Sequence, residues 1–295
     1  MAKAVFTCKP DSIYDDKPEE RYHFPERYLS LAKEAVGDWI VYYEPRRGGR
    51  QVYFATARIR EVVRDPATQD HYYAIVSPGE YVEFVDPVPF RTGPEGRYHY
   101  YESALVKEDG SANKGRFGWS VRILPEAEYQ AIVQAGMAPA LEATGAMAPE
   151  GVAAEAPPVP EPLVVEKLIT PAVRDWAFGQ TVNTAYDSTC ALTGLRLLDG
   201  QGRREVEAAH IRARAEGGPD SPRNGVALSR TVHWLFARGL LSLEDDGKML
   251  VVEKHVAPRV RALLHPNGYA KWPDVPNVRP HPEFLKYHRE RVFVG

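Results

Sequence analysis

Residues 208–243 read AAHIRARAEGGPDSPRNGVALSRTVHWLFARGLLSL, and the placing of His210, Asn224 and His233 within them decides how the second half of the chain is read. His210 closes a short apolar run suited to a strand. Asn224 stands fourteen positions on, at the foot of a loop rich in Gly, Pro and Asp, and His233 follows nine later within an apolar helical period. Immediately upstream, CALTGLRLLDGQGRREVEAAHI predicts two short strands joined by a turn, because Asp-Gly is a hairpin signal. SRTVHWLFARGLLSL predicts a helix ending near Gly239. The expected order is strand, strand, loop, helix.

Those residue types suit the hydrolysis of a phosphodiester. Such a reaction needs a base to deprotonate water, a cation to neutralise charge on the phosphate, and a group that holds the base in its working tautomer. His210 can be the base, Asn224 can orient the imidazole or brace the loop, and His233 can ligate a metal. Arg212, Arg214, Arg223 and Arg230 surround the three and can clamp phosphate oxygens in a DNA backbone.

On these residues, with AAHI followed by EGGPD, RNGVAL and HWLFARG, the stretch 186–245 resembles the HNH (ββα-metal) endonuclease family. The resemblance implies a single-metal mechanism leaving 5′-phosphate and 3′-hydroxyl ends, with His210 as general base and His233 as ligand to Mg²⁺ or Mn²⁺. Many members carry Asp or His immediately before the base histidine as a further ligand, where this chain has Ala209. Glu207, two positions back on the strand, is the substitute; one histidine with several waters is the alternative for Mg²⁺, which keeps much of its hydration. CALTG has no second cysteine, so no structural zinc is expected.

The first half has a different rhythm. WIVYYE from Trp39, VYFATARI from Val52, YYAIV from Tyr72, YVEFV from Tyr81 and WSVRIL from Trp119 alternate with period two, which predicts strands of a small barrel-like sheet. Helices are expected from about Pro25 and from Pro125. FTCKPDSIYDD, GDWIVYYEPRR and VYFATARIREVVRDP together resemble the EVE branch of the PUA-like superfamily over residues 3–135. That resemblance implies a β-barrel holding a flipped or modified base. An extruded base is recognised by aromatic stacking and by hydrogen bonds to its edge. Ser12, Tyr14, Asp15 and Asp16 are the candidate edge partners, Trp39, Tyr42, Tyr43 and Trp119 the candidate walls, and Arg46, Arg47 and Arg50 candidate phosphate contacts. Alternation sends Tyr42 and Tyr43 to opposite faces, so both cannot line one pocket from a regular strand.

Between Met137 and Leu163 the composition collapses to Ala, Pro, Glu and Gly without an aromatic residue, which predicts an extended linker over 137–165 between domains 1–136 and 166–295. The formal net charge of the 295 residues is −3. Residues 166–295 nevertheless hold 19 Lys and Arg against 15 Asp and Glu, the excess a phosphate-binding domain needs. Two distant cysteines exclude a disulfide scaffold, and the lack of a long apolar run or a signal core leads to an expectation of a cytoplasmic, non-membrane protein.

The joint expectation is an α+β chain resembling EVE-HNH restriction enzymes, which implies an endonuclease for double-stranded DNA bearing 5-methyl- or 5-hydroxymethylcytosine. Host defence is the implied role. Cutting both strands with one site per chain leads to an expectation of a homodimer. Two other readings stay open: an HNH nuclease of unmodified or structured nucleic acid, and a non-catalytic binding protein with a decayed finger.

Overall fold

The computed structural model describes residues 2–9, 14–45, 50–92, 99–107, 109, 111, 113–144 and 169–295. The chain is mixed α+β and divides into two compact units, Met1–Ala177 and Phe178–Gly295. Ser12, Arg46 and Arg47, proposed from sequence for base and phosphate contacts, lie outside the described residues.

The first unit is built on six strands: β1 (Lys3–Thr7), β2 (Arg21–Pro25), β3 (Trp39–Glu44), β4 (Val52–Arg64), β5 (His71–Pro89) and, after the short pair β6 (Arg91–Thr92) and β7 (His99–Tyr100), β8 (Val121–Leu124). They lie in the order β2-β5-β4-β3-β1-β8 and curl into a half-barrel. β1 and β3 run parallel, and the other neighbours are antiparallel. The two runs expected as separate strands, YYAIV and YVEFV, are halves of β5. Ser77–Glu80 bulge between them, so the β4 partners jump from Tyr81 opposite Ala57 to Val76 opposite Ile59. Gly79, at φ 72°, takes the left-handed turn this requires.

Period-two alternation gives this sheet two apolar faces. Val5, Val41, Tyr43, Tyr53, Val82 and Phe84 meet a helix from the second half of the unit. Ala4, Phe6, Tyr22, Phe24, Ile40, Tyr42 and Tyr81 form the other core with Ala32 and Ala35 at helix α1 (Leu29–Glu34). A one-turn α2 (Lys114–Phe117) precedes β8, and α3 (Glu126–Thr144) covers the first face.

α3 runs eight residues into the stretch expected as linker. Met137, Ala140 and Leu141 are buried at helical spacing, and that packing offsets the roughly 3 kcal/mol that Pro139 costs inside a helix. Gly136 lets the backbone approach Phe84, whose ring lies 2.5 Å from where a Cβ would stand. The rest of the expected linker, residues 145–165, lies outside the described residues.

Below the first face, Arg122 and Glu102 form a buried ion pair through two bonds of 2.7 Å each, and Tyr53 donates its hydroxyl to the same carboxylate at 2.6 Å. The remaining guanidinium nitrogen donates to the Trp119 carbonyl at 2.8 Å, so every partner of this charge is internal.

In the second unit, α4 (Pro171–Ala185), within which the division between units falls, contributes Phe178 and Val182 to the core. β9 (Glu207–His210) pairs antiparallel with β10 (Gly225–Leu228), followed by α5 (Arg230–Ala237), the hairpin β11 (Leu241–Leu243) and β12 (Met249–Val251), one-turn α6 (Pro258–Arg261) and α7 (Pro282–Arg291). This corrects the expected order. The Asp-Gly turn closes only a single bridge, Leu198 to Arg204, and the partner of β9 comes after the loop. Residues 226–228, VAL, are apolar and fully buried, so they complete the sheet under α5 better than the polar QGRRE run does. α7 buries Phe284, Leu285 and His288. Cys8 and Cys190 are both buried, and no disulfide joins them.

Candidate active site

His210 ends β9 opposite Gly225. Gly225 has to be glycine, because a Cβ there would stand 2.3 Å from Val182 and 3.1 Å from the Phe178 ring. Phe178 in turn lies flat beneath the His210 imidazole, with ring centroids 3.7 Å apart and planes 13° off parallel. The imidazole is 22% exposed, enough to meet solvent at one edge.

Its other edge is fixed by a residue the sequence reading passed over. Asp220, fully buried, accepts from His210 Nε2 at 2.9 Å and from Arg214 Nε and Nη2 at 3.2 and 2.9 Å. A carboxylate accepts only, so it holds the proton on Nε2 and leaves Nδ1 unprotonated, the tautomer a general base would need. The buried carboxylate is in turn charge-balanced by Arg214. Arg214 is therefore engaged inside the loop rather than presented as a phosphate clamp.

Asn224 takes the second of the two roles open to it. Its side chain is buried, accepts from the Arg212 amide at 2.9 Å, and donates to the Arg212 and Pro219 carbonyls at 2.9 and 3.0 Å. It ties both rims of the 211–224 loop and does not touch the His210 ring. Gly218 makes this closure possible: a Cβ there would lie 1.9 Å from the Arg212 carbonyl and 2.8 Å from Asn224 Nδ2. Gly217, at φ 81°, turns the chain in the left-handed region.

On α5, His233 faces β9, with Nδ1 2.9 Å from Glu207 Oε2. Arg230 Nε lies 3.2 Å from the other oxygen of Glu207. The structure therefore brings together the histidine and the carboxylate that sequence reading offered as metal ligands. Among the described residues no group of three or more His, Cys, Asp and Glu is positioned to hold a metal. Two does suit a hydrated divalent ion. His233 Nδ1 and Glu207 Oε2 are 2.9 Å apart, close enough that both could reach one ion, and Mg²⁺ would accept so small a set of protein donors because it keeps much of its hydration.

Of the remaining arginines, Arg212 donates through Nε to the Glu216 carbonyl at 2.7 Å and lies over the Tyr287 ring at 5.0 Å. Arg223 is half-buried beside Asn224, its carbonyl accepting from the His281 amide.

The candidate base-pocket residues of the first unit do not converge. Tyr42 and Tyr43 are both buried, in the two different cores, as alternation required. The Tyr42 hydroxyl is sealed from solvent and has no hydrogen-bond partner among the described residues. Trp39 packs half-buried against the core that contains Tyr43. Trp119 is 39% exposed and lines a separate cleft of about 350 Å³ with Arg27, Tyr28, Gly115 and Gly118, its ring 4.4 Å from the Arg116 guanidinium. Tyr14 sits edge-on to His23 at 5.5 Å, and Asp15 is exposed and paired with Arg21. The neighbouring Asp16 turns inward instead: it accepts from the His23 amide at 2.9 Å, and burial pushes its carboxyl up to about 7.

A family profile described as HNH endonuclease matches residues 190–244, the span that includes β9, the loop, β10, α5 and β11. The chain carries an HNH endonuclease domain there, a class that works with divalent metal ions. No curated protein matches the chain. Among solved structures, the modification-dependent TagI restriction endonuclease is similar over 98% of this chain and 81% of its own, at 15% identity and a TM-score of 0.30. Rpa0253 from Rhodopseudomonas palustris is similar over 46% of this chain and 93% of its own, at 15% identity and a TM-score of 0.29. The type IV phosphorothioation-dependent restriction endonuclease ScoMcrA is similar over 88% of this chain and 48% of its own, at 16% identity and a TM-score of 0.22. Among the described residues, no helix is long and apolar enough to cross a membrane.

Proposed function

We propose that this chain is a modification-dependent DNA endonuclease whose HNH domain cuts double-stranded DNA containing 5-methyl- or 5-hydroxymethylcytosine, as a defence against foreign DNA. The observation that carries the hydrolytic part is the pair of oriented imidazoles, His210 held by Asp220 and His233 facing Glu207, on one β9-loop-β10-α5 frame.

In this mechanism His210 Nδ1 takes a proton from a water aligned with the scissile phosphorus. Asp220 stabilises the imidazolium that results, and Phe178 keeps the ring from tilting. The water oxygen bonds to phosphorus as the bond to the 3′-oxygen breaks, and the departing oxygen takes a proton from solvent, giving a 5′-phosphate and a 3′-hydroxyl. His233 and Glu207 would hold Mg²⁺ or Mn²⁺, which when bound supplies positive charge to the phosphate and the leaving oxygen. Asn224 keeps the loop that carries Asp220 in register and does not touch the reacting atoms. A duplex break requires two such sites, so two chains meet on the DNA.

Support for modified cytosine comes from the resemblance of residues 3–135 and from the solvent-open cleft that Trp119 and Tyr28 line in the first unit. The test is digestion of matched plasmids, unmodified, methylated and hydroxymethylated at cytosine, with Mg²⁺ or Mn²⁺. Only the modified plasmids should be cut, and His210→Ala should reduce the rate by on the order of 10²- to 10⁴-fold. Equal cutting of all plasmids removes the modified-base part. A His210→Ala enzyme as fast as wild type removes the nuclease site.

A further inference from the structure

We propose that the outward face of α5 is a seat for a nucleic-acid strand, with Trp234 as the side chain that contacts it. α5 is sharply two-sided. Val232, Leu235 and Phe236 are buried, while Arg230, His233, Trp234, Ala237 and the capping residue Arg238 face out. Residues four apart on a helix stand one above the other, so Arg230, Trp234 and Arg238 form a single row, and His233 borders it.

Trp234 is 58% exposed, and an indole so placed contributes little to the core beneath it. The Arg238 guanidinium lies 5.9 Å from its ring centre, and Arg230, one turn before it, reaches Glu207 beside the metal-ligand candidate His233. No acidic residue occurs between Arg230 and Arg238. An aromatic face flanked by two arginines, on a helix with no acid of its own and with the neighbouring Glu207 engaged by Arg230 and His233, is complementary to a polyanion carrying flat bases. Arg238 meets a phosphate while the indole stacks on a base or packs on a sugar. The same composition disfavours a second copy of this positively charged face as the occupant. The position of the row, which presupposes the nuclease reading of His210 and His233, places the contact beside the phosphate to be cut. Trp234 is thus a positioning residue that acts on how tightly the strand is held.

The experiment uses the full chain carrying His210→Ala, which binds without cutting, and a short labelled duplex with or without 5-methylcytosine. Trp234→Ala should weaken binding about tenfold, the scale of one base-aromatic stack, and Trp234→Phe should recover part of the loss. Arg238→Ala should lower the slope of log affinity against log salt by about 0.9, one phosphate contact. With His210 restored, the Trp234→Ala loss should appear in KM rather than kcat, and the melting temperature should match the parent. Unchanged DNA affinity in Trp234→Ala overturns the proposal. So does a dimer that becomes monomeric in Trp234→Ala while each chain keeps its DNA affinity, which would mark a second copy as the occupant. Because binding is read without cutting, a wild type that binds through Trp234 but never cleaves leaves the seat standing and sinks the nuclease reading instead.

Discussion

Arg122–Glu102–Tyr53 in the sheet and Arg214–Asp220–His210 in the nuclease loop are chemically alike: an arginine clamps a buried carboxylate, which also receives a third group. They differ in where the third group leads. Tyr53 is wholly enclosed, and its hydroxyl ends the chain of bonds inside the protein. His210 is partly exposed and has a second nitrogen available to a reactant. Burial of all three members makes a brace. Opening one of them to water leaves the same arrangement holding a solvent-reached imidazole in a fixed orientation, as the proposed base requires.

Three substitutions press on that difference, from the largest expected effect to the smallest. Glu102→Gln strands the Arg122 charge in the core, and urea unfolding should show a loss of about 3–5 kcal/mol with the catalytic rate per folded molecule retained. A third enclosed centre supplies the next test. His288 stacks on Phe236 at 3.8 Å, bonds Ser242 Oγ at 2.9 Å, and is lowered by burial from 6.5 to about 4. Because the folded protein holds it neutral, its contribution is complete above pH 6.5. It is lost as the pH falls toward 4, by roughly 3 kcal/mol at 1.36 kcal/mol per pKa unit. His288→Gln should flatten the pH dependence of unfolding in that window; an unaltered slope refutes the assignment.

Asp220→Asn is the smallest in energy and the most pointed. The amide can donate to Nε2 and so place the imidazole proton on Nδ1, the wrong nitrogen for a base. Cleavage should fall on the order of a hundredfold, or about 2.7 kcal/mol in barrier, with DNA binding preserved. If Asp220→Asn behaves like Glu102→Gln, unfolding the protein while leaving kcat intact, the two centres are both braces and the contrast disappears.

Much of this was legible in the sequence because it was local. Strand alternation put Tyr42 and Tyr43 on opposite faces, the Ser229–Gly239 stretch gave the helix, and counting back from Ala209 found Glu207, which the structure sets against His233. Asp220 was missed because Gly-Gly-Pro-Asp-Ser-Pro has the composition of any exposed turn. Its burial depends on Arg214 and His210 folding over it, although an acid ten residues after a candidate base was a signal available to use. Residues 137–144 were read as linker because Ala and Pro dominate there, and only the apolar face of the sheet turns them into helix. The choice of β10 over the Asp-Gly arm as the partner of β9 is likewise a matter of long-range burial.

The Asn224 carboxamide has consequences for how this enzyme can change over generations. It reaches Arg212 on one rim and Pro219 on the other, over a spot where only hydrogen fits on Gly218. Insertions, deletions or bulkier codons there would tear the clasp open, so the catalytic segment is frozen in length. The solvent-facing row of α5 is under no such constraint at Trp234 and Arg238, which can be exchanged without disturbing the packing beneath them.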